Sequence, residues 1–155
     1  MNGTENIDIA AAHRYFSVEC FNRAWDLMDK PSRTPSENEL MLHLSMASTW
    51  HWSQRPDCTP TNSSVGYWQT ARIYAILGQA ENARRYGQLC LQSIQGKDVP
   101  PFYFGYAYEA LARAEAVAGN QVEMNTYLLQ ARQYAERMSD LGAKQQLLSD
   151  LDLIR

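Results

Sequence analysis

Arg72, Arg113, Glu109, Trp68 and Tyr106 are the residues of this chain whose types suit recognition chemistry. A guanidinium presents a planar fork of N–H donors that matches a carboxylate or phosphate in two-point fashion. Trp and Tyr supply large, rigid contact area and dominate binding hot spots. Two readings of Arg72 stay open. In one it pairs with Glu109 across neighbouring helices and sets their register, so that removing either partner strands a buried charge. In the other, Arg72 or Arg113 meets an acidic group on a ligand. A second cluster consists of His13, His51 and Asn62, which with Trp68 and Arg72 would line a small polar pocket, unless the two histidines are satisfied core residues. His43 lies off that stripe and is expected at the surface.

Other chemistries find little support. The three cysteines, Cys20, Cys58 and Cys90, are odd in number, far apart and in no CxxC spacing. That argues against a disulfide framework and a structural zinc site and fits a reducing cytoplasm. There is no HExxH, no GxSxG, no P-loop and no GxGxxG, so neither a metal nor a cofactor is expected, and catalysis is the less favoured class. The glycines are scattered rather than gathered into a phosphate cradle. The chain has 155 residues, 45% of them hydrophobic and 20% charged, with a net charge of −3. This composition suits one folded domain, and its acidic balance lacks the footprint of a nucleic-acid binder. The opening MNGTENIDIAAAH has no basic segment before an apolar core, so a secretory signal is not expected. No apolar run approaches the roughly 20 residues of a membrane span. The glycosylation sequons at Asn2 and Asn62 carry no weight in a cytoplasmic chain.

The elements that would position these residues are helices. In IDIAAAHRYFSVECFNRAWDLMDK, the residues Ile9, His13, Phe16, Cys20, Ala24 and Leu27 form one stripe with Phe21, Trp25 and Met28 beside it. A stop is expected at Lys30-Pro31. Thr34, Pro35 and Glu37 form a capping-box start for a second helix, which carries Leu40, Leu44, Ala47 and His51 on one face and ends near Arg55-Pro56. A third helix begins after Pro60, capped by Asn62 or Ser63, and runs to Gly78. A fourth covers about 80–95, closed by Gly96. The fifth follows Pro100 and Pro101 and stops at Gly119. The sixth spans about 121–138, and the last carries Leu147, Leu151 and Ile154 on one stripe. Strand-like alternation is absent.

A shift of 41 residues superimposes Tyr67 on Tyr108, Ala71 on Ala112, Arg72 on Arg113, Ala75 on Ala116, Gly78 on Gly119, Tyr86 on Tyr127 and Gln92 on Gln133. Each helix–Gly–helix unit has an apolar face too wide to bury alone, so the units should stack. Val65, Trp68, Arg72, Ala75 and Ile76 form one stripe on the first helix of one copy, which a resemblance to helical-repeat proteins implies would line a shared hollow. In the next, Tyr106, Glu109, Arg113, Ala116 and Val117 do the same.

The stretch YWQTARIYAILGQAENARRY resembles a tetratricopeptide repeat, with Ala71, Tyr74, Gly78 and Ala83 where that motif places a small residue, an aromatic, a turn glycine and an alanine. In the second copy Ala112 and Gly119 fit, while Glu115 replaces the aromatic and Met124 the alanine. The spacing also exceeds the usual repeat of about 34 residues. More broadly the chain resembles a group of uncharacterised bacterial helical-repeat proteins. That likeness rests on His51, Trp52, Asn62, Trp68, Arg72, Tyr74, Gly78, Tyr108, Glu109, Ala110 and Arg113. The resemblance implies an all-α, right-handed stack of antiparallel helix hairpins over about 7–55, 61–95 and 102–138, with a capping helix over about 141–155. The expected function is non-catalytic capture of a protein or peptide in the hollow, through Trp68, Arg72, Tyr106, Glu109 and Arg113. The alternative is a small-ligand sensor or enzyme using the pocket near His13, His51, Asn62, Trp68 and Arg72. Phe16, Phe21 and Trp25 make the first helix apolar enough to suit a homodimer.

Overall fold

The computed structural model describes residues 7–155; Asn2 and Gly3 lie outside the described residues. Seven helices and no strand are present among them: α1 (Ile9–Met28), α2 (Pro35–Ser53), α3 (Pro60–Ile76), α4 (Ala80–Ile94), α5 (Pro101–Ala118), α6 (Gln121–Glu136) and α7 (Leu141–Asp152). They form two compact units, one reaching Cys58 and the other Thr59–Arg155. None of these helices is long and apolar enough to cross a membrane.

In the first unit α1 lies against α2. The capping box that starts α2 is as expected: the Thr34 hydroxyl accepts from the Glu37 N–H, and the Glu37 carboxylate accepts from the Thr34 N–H at 2.9 Å. The buried face of α1 keeps Cys20 and Ala24 of the expected stripe but not its large residues Ile9 and Phe16. Ile9 and Phe16 are 60% and 42% exposed, and the buried residues are Ser17, Cys20, Ala24 and Met28. Likewise Leu40 of α2 is 41% exposed, while Met41, Leu44, Ser45 and Ser48 are buried. The reason is close approach. Small side chains let two backbones meet, and the Ser48 hydroxyl donates to the Ser17 carbonyl at 2.7 Å. A larger apolar residue at Ser17 would hold the helices apart.

In the second unit α5 is the central element, touching α3, α4, α6 and α7. The cap of α3 is Thr59, one position before Pro60, rather than Asn62 or Ser63. Asn62 instead closes the box from the third helical position, its amide oxygen accepting from the Thr59 N–H at 2.9 Å. Proline at the first position loses no hydrogen bond there, and α5 uses the same device with Pro101 as its first residue.

The 41-residue register is reproduced in geometry. Gly78 and Gly119 both adopt left-handed φ, +73° and +76°. Their turns close with matching bonds, Gln79 N–H to Tyr74 C=O and Asn120 N–H to Glu115 C=O, both 2.9 Å. Ala71 and Ala112 are both buried. The ring pairs Tyr67–Tyr86 and Tyr108–Tyr127 each have centroids 6.2 Å apart. The α7 stripe is also as expected, with Leu147, Leu151 and Ile154 buried against Ala112, Met124, Ala131 and Ala135. Cys90, wholly buried, contacts the Ser64 hydroxyl at 3.3 Å, and burial pushes its thiol pKa up to about 12.

Candidate functional site

Helices α3 and α5 run side by side, and at their contact sits Glu109, 0% exposed. Three donors converge on this carboxylate. The Trp68 indole N–H donates to Oε2 at 2.8 Å, Arg72 Nη1 to Oε1 at 3.4 Å, and Arg113 Nε, one helical turn along α5, also to Oε1. A carboxylate can be buried at this depth only because each oxygen is met by a donor and the charge by guanidinium groups. The expected Arg72–Glu109 pair is therefore present, joined by a second arginine and an indole.

Glu109 does not face the hollow with its helix neighbours, as its place in the stripe suggested. Fully covered, it holds the arginines rather than touching anything outside. Arg72 and Arg113 are partly open, their side chains 23% and 18% exposed. Arg72 is further held by a cation–π approach, its guanidinium 5.7 Å from the Trp68 ring centre. Burial pulls its pKa down, with the Arg113 charge acting in the same direction. Arg113 reaches across to α7, where its Nη2 donates to the Asp150 carbonyl at 3.4 Å. The Tyr106 hydroxyl donates to the Asp150 carboxylate at 2.9 Å, and its ring meets Trp68 edge-on at 5.6 Å. Burial, then this bond and the Asp150 charge, raise the Tyr106 pKa well above the usual phenol range.

Beside this network lies a cavity of about 230 Å³. Its lining contains three pairs related by the 41-residue shift, namely Arg72 with Arg113, Ala75 with Ala116 and Ile76 with Val117. Leu153, Ile154 and Arg155 complete it. Guanidinium groups each carry five N–H donors, and among the described residues Arg72 gives one hydrogen bond and Arg113 two. Asp150, which ties Tyr106 and Arg113 to α7, was not singled out from sequence, because a separation of 44 residues carries no periodic signal.

A second buried carboxylate was also missed. Glu115 accepts from Arg84 Nε at 2.5 Å and Nη2 at 3.0 Å, and from the Asn120 amide at 2.7 Å. These donors, Arg84 foremost, hold its pKa below the ordinary carboxylate value. The one available clue was Glu115 standing where the repeat pattern places an aromatic.

The pocket residues divide between the two units. Asn62 is occupied in its cap, and Trp68 and Arg72 belong to the Glu109 network. His13 and His51 lie in the first unit, half-buried, with Nδ1 atoms 2.8 Å apart. A cavity of about 220 Å³ borders His13, lined also by Arg14, Gln54 and Arg55. His43 is exposed. Among the described residues no group of three His, Cys, Asp or Glu side chains is placed to hold a metal ion. No protein-family model, no curated protein and no solved structure matches the chain.

Proposed function

We propose that this chain is a non-catalytic helical-repeat module, tetratricopeptide-like in its right-handed stacking of hairpins, that captures a protein or peptide partner bearing an acidic group. The observation that carries the reading is the cavity lined by three register-related pairs, because duplication of a hairpin has brought equivalent arginines to one place. Arg72 and Arg113 hold the acidic group, Ala75, Ala116, Ile76 and Val117 take apolar neighbours, and Trp68, Tyr106 and Glu109 fix the arginines from behind. Preorganisation of this kind lowers the ordering cost of binding. The mode is groove recognition in a cytoplasmic protein, and the exposed Phe16 of α1 leaves room for a homodimer.

The test is a fluorescence titration with peptides that carry one Asp or Glu between aliphatic residues, beside the matching Asn or Gln peptides. Arg72→Ala and Arg113→Ala together should weaken binding of the acidic peptides about tenfold or more, while circular dichroism keeps its helical signal. Equal binding of acidic and amide peptides, or affinity unchanged in the double variant, would remove the proposed recognition.

A further inference from the structure

We propose that His13 and His51 form a proton-operated clasp between α1 and α2, closed by one shared N–H and released when both rings carry a charge. The two residues are 38 positions apart, one on each helix, and their Nδ1 atoms meet at 2.8 Å. At that distance one nitrogen must carry hydrogen and the other a lone pair. A neutral pair meets this with opposite tautomers: the donor ring holds its hydrogen on Nδ1, the acceptor ring on Nε2. A first added proton goes to the free Nε2 of the donor ring, making it an imidazolium. The shared bond survives and becomes charge-assisted. A second proton has only the acceptor's Nδ1 to occupy. That sets N–H against N–H and places two like charges in rings whose centroids are 5.0 Å apart.

The end of α2 favours one positive charge, because His51 lies in its last turn, but little else near the pair eases a second. Trp50 stands edge-on to both rings, at 5.3 Å from His13 and 4.7 Å from His51, and Phe16 lies 5.5 Å from His51. From α1, Arg14 lines the cavity beside His13. From the segment after α2 come Arg55 and Asp57, which neutralise each other through bonds of 2.9 and 2.6 Å. Among the described residues no carboxylate accepts a hydrogen bond from either histidine. Burial, and then the His13 charge, lower the His51 pKa. A histidine whose folded pKa lies below its unfolded value of about 6.5 binds protons more readily once unfolded. Its contribution to stability is complete above that value and lost as pH falls from there through the lowered folded pKa. Because His13 forms part of the wall of the 220 Å³ cavity, release of the clasp would also reshape that cavity.

The experiment follows the ring resonances of His13 and His51 by NMR, alongside thermal melts from pH 7.5 to 5. In the wild type the pair should titrate in two separated steps, and the melting temperature should fall on acidification. His13→Gln and His51→Gln each keep hydrogen-bonding ability without a second charge. In either variant the remaining ring should titrate in a single step, and the drop from pH 7 to pH 5 should be smaller by about 3 °C. Simultaneous titration of both rings in the wild type, or an equal pH drop in all three proteins, overturns the clasp. So does a melting temperature raised by nickel(II) at pH 7.5 only when both histidines are present, since the pair would then be a metal chelate.

Discussion

The hairpins α3–α4 and α5–α6 share a register and differ in what stands behind each arginine. Four residues before Arg72 is Trp68, whose ring lies under the guanidinium; four residues before Arg113 is Glu109, whose carboxylate pairs with it. Trp68 and Glu109 are themselves equivalent by the 41-residue shift, and they hydrogen-bond to each other. A duplicated position has thus become an interface between the two copies, with a donor in one and an acceptor in the other. The same division recurs at Tyr74 and Glu115. Tyr74 packs its ring 5.5 Å from Tyr86, whereas Glu115 receives Arg84 of the preceding hairpin. Shared turns keep the copies alike, and carboxylates in the second copy tie it back to the first.

The largest way to break this arrangement is Glu109→Ala, which leaves two guanidinium groups and an indole N–H without their acceptor. The loss should be about 3 kcal/mol, the lower end of the usual range because both arginines can turn partly to water. Urea denaturation measures it, and a loss below about 1 kcal/mol would mean that the Glu109 network adds little to the contact between the copies. Next comes Gly105, equivalent to Ser64 in the first copy. A β-carbon at Gly105 would lie 2.6 Å from the Leu147 side chain, so Gly105→Ala should cost about 1–3 kcal/mol by pushing α7 off α5. A neutral result would show that Leu147 moves aside freely. The smallest effect sharpens the likeness. Gly78→Ala and Gly119→Ala meet no atoms within 4 Å, so only the left-handed backbone resists them. Each should lose about 1 kcal/mol, and by the same amount. Unequal losses would show that the two turns are not equivalent.

Much of the helical frame was legible because its signals are local. Thr34, Pro35 and Glu37 start α2, Gly78 and Gly119 end helices with positive φ, and Leu147, Leu151 and Ile154 mark the buried side of α7. On α1 the stripe rightly included Cys20 and Ala24 but also Ile9 and Phe16, since periodicity weights large apolar residues, whereas a close helix crossing selects Ser17. For the candidate site, the shared register pointed to Arg72 and Arg113 together, and charge complementarity to Glu109. The number of donors on Glu109, its complete burial, and the Tyr106–Asp150 and Arg84–Glu115 bonds depend on three-dimensional neighbours that sequence spacing does not encode.

Cys90 gives the second unit a built-in reporter. Sealed from solvent and shifted far from its reactive thiolate form, this sulfur should resist alkylation until the helices around it part. Cys20, buried in the first unit with its pKa also raised, offers the same service there. Timed labelling with iodoacetamide, read peptide by peptide in a mass spectrometer, would clock how often each half of the chain breathes, with no engineered probe.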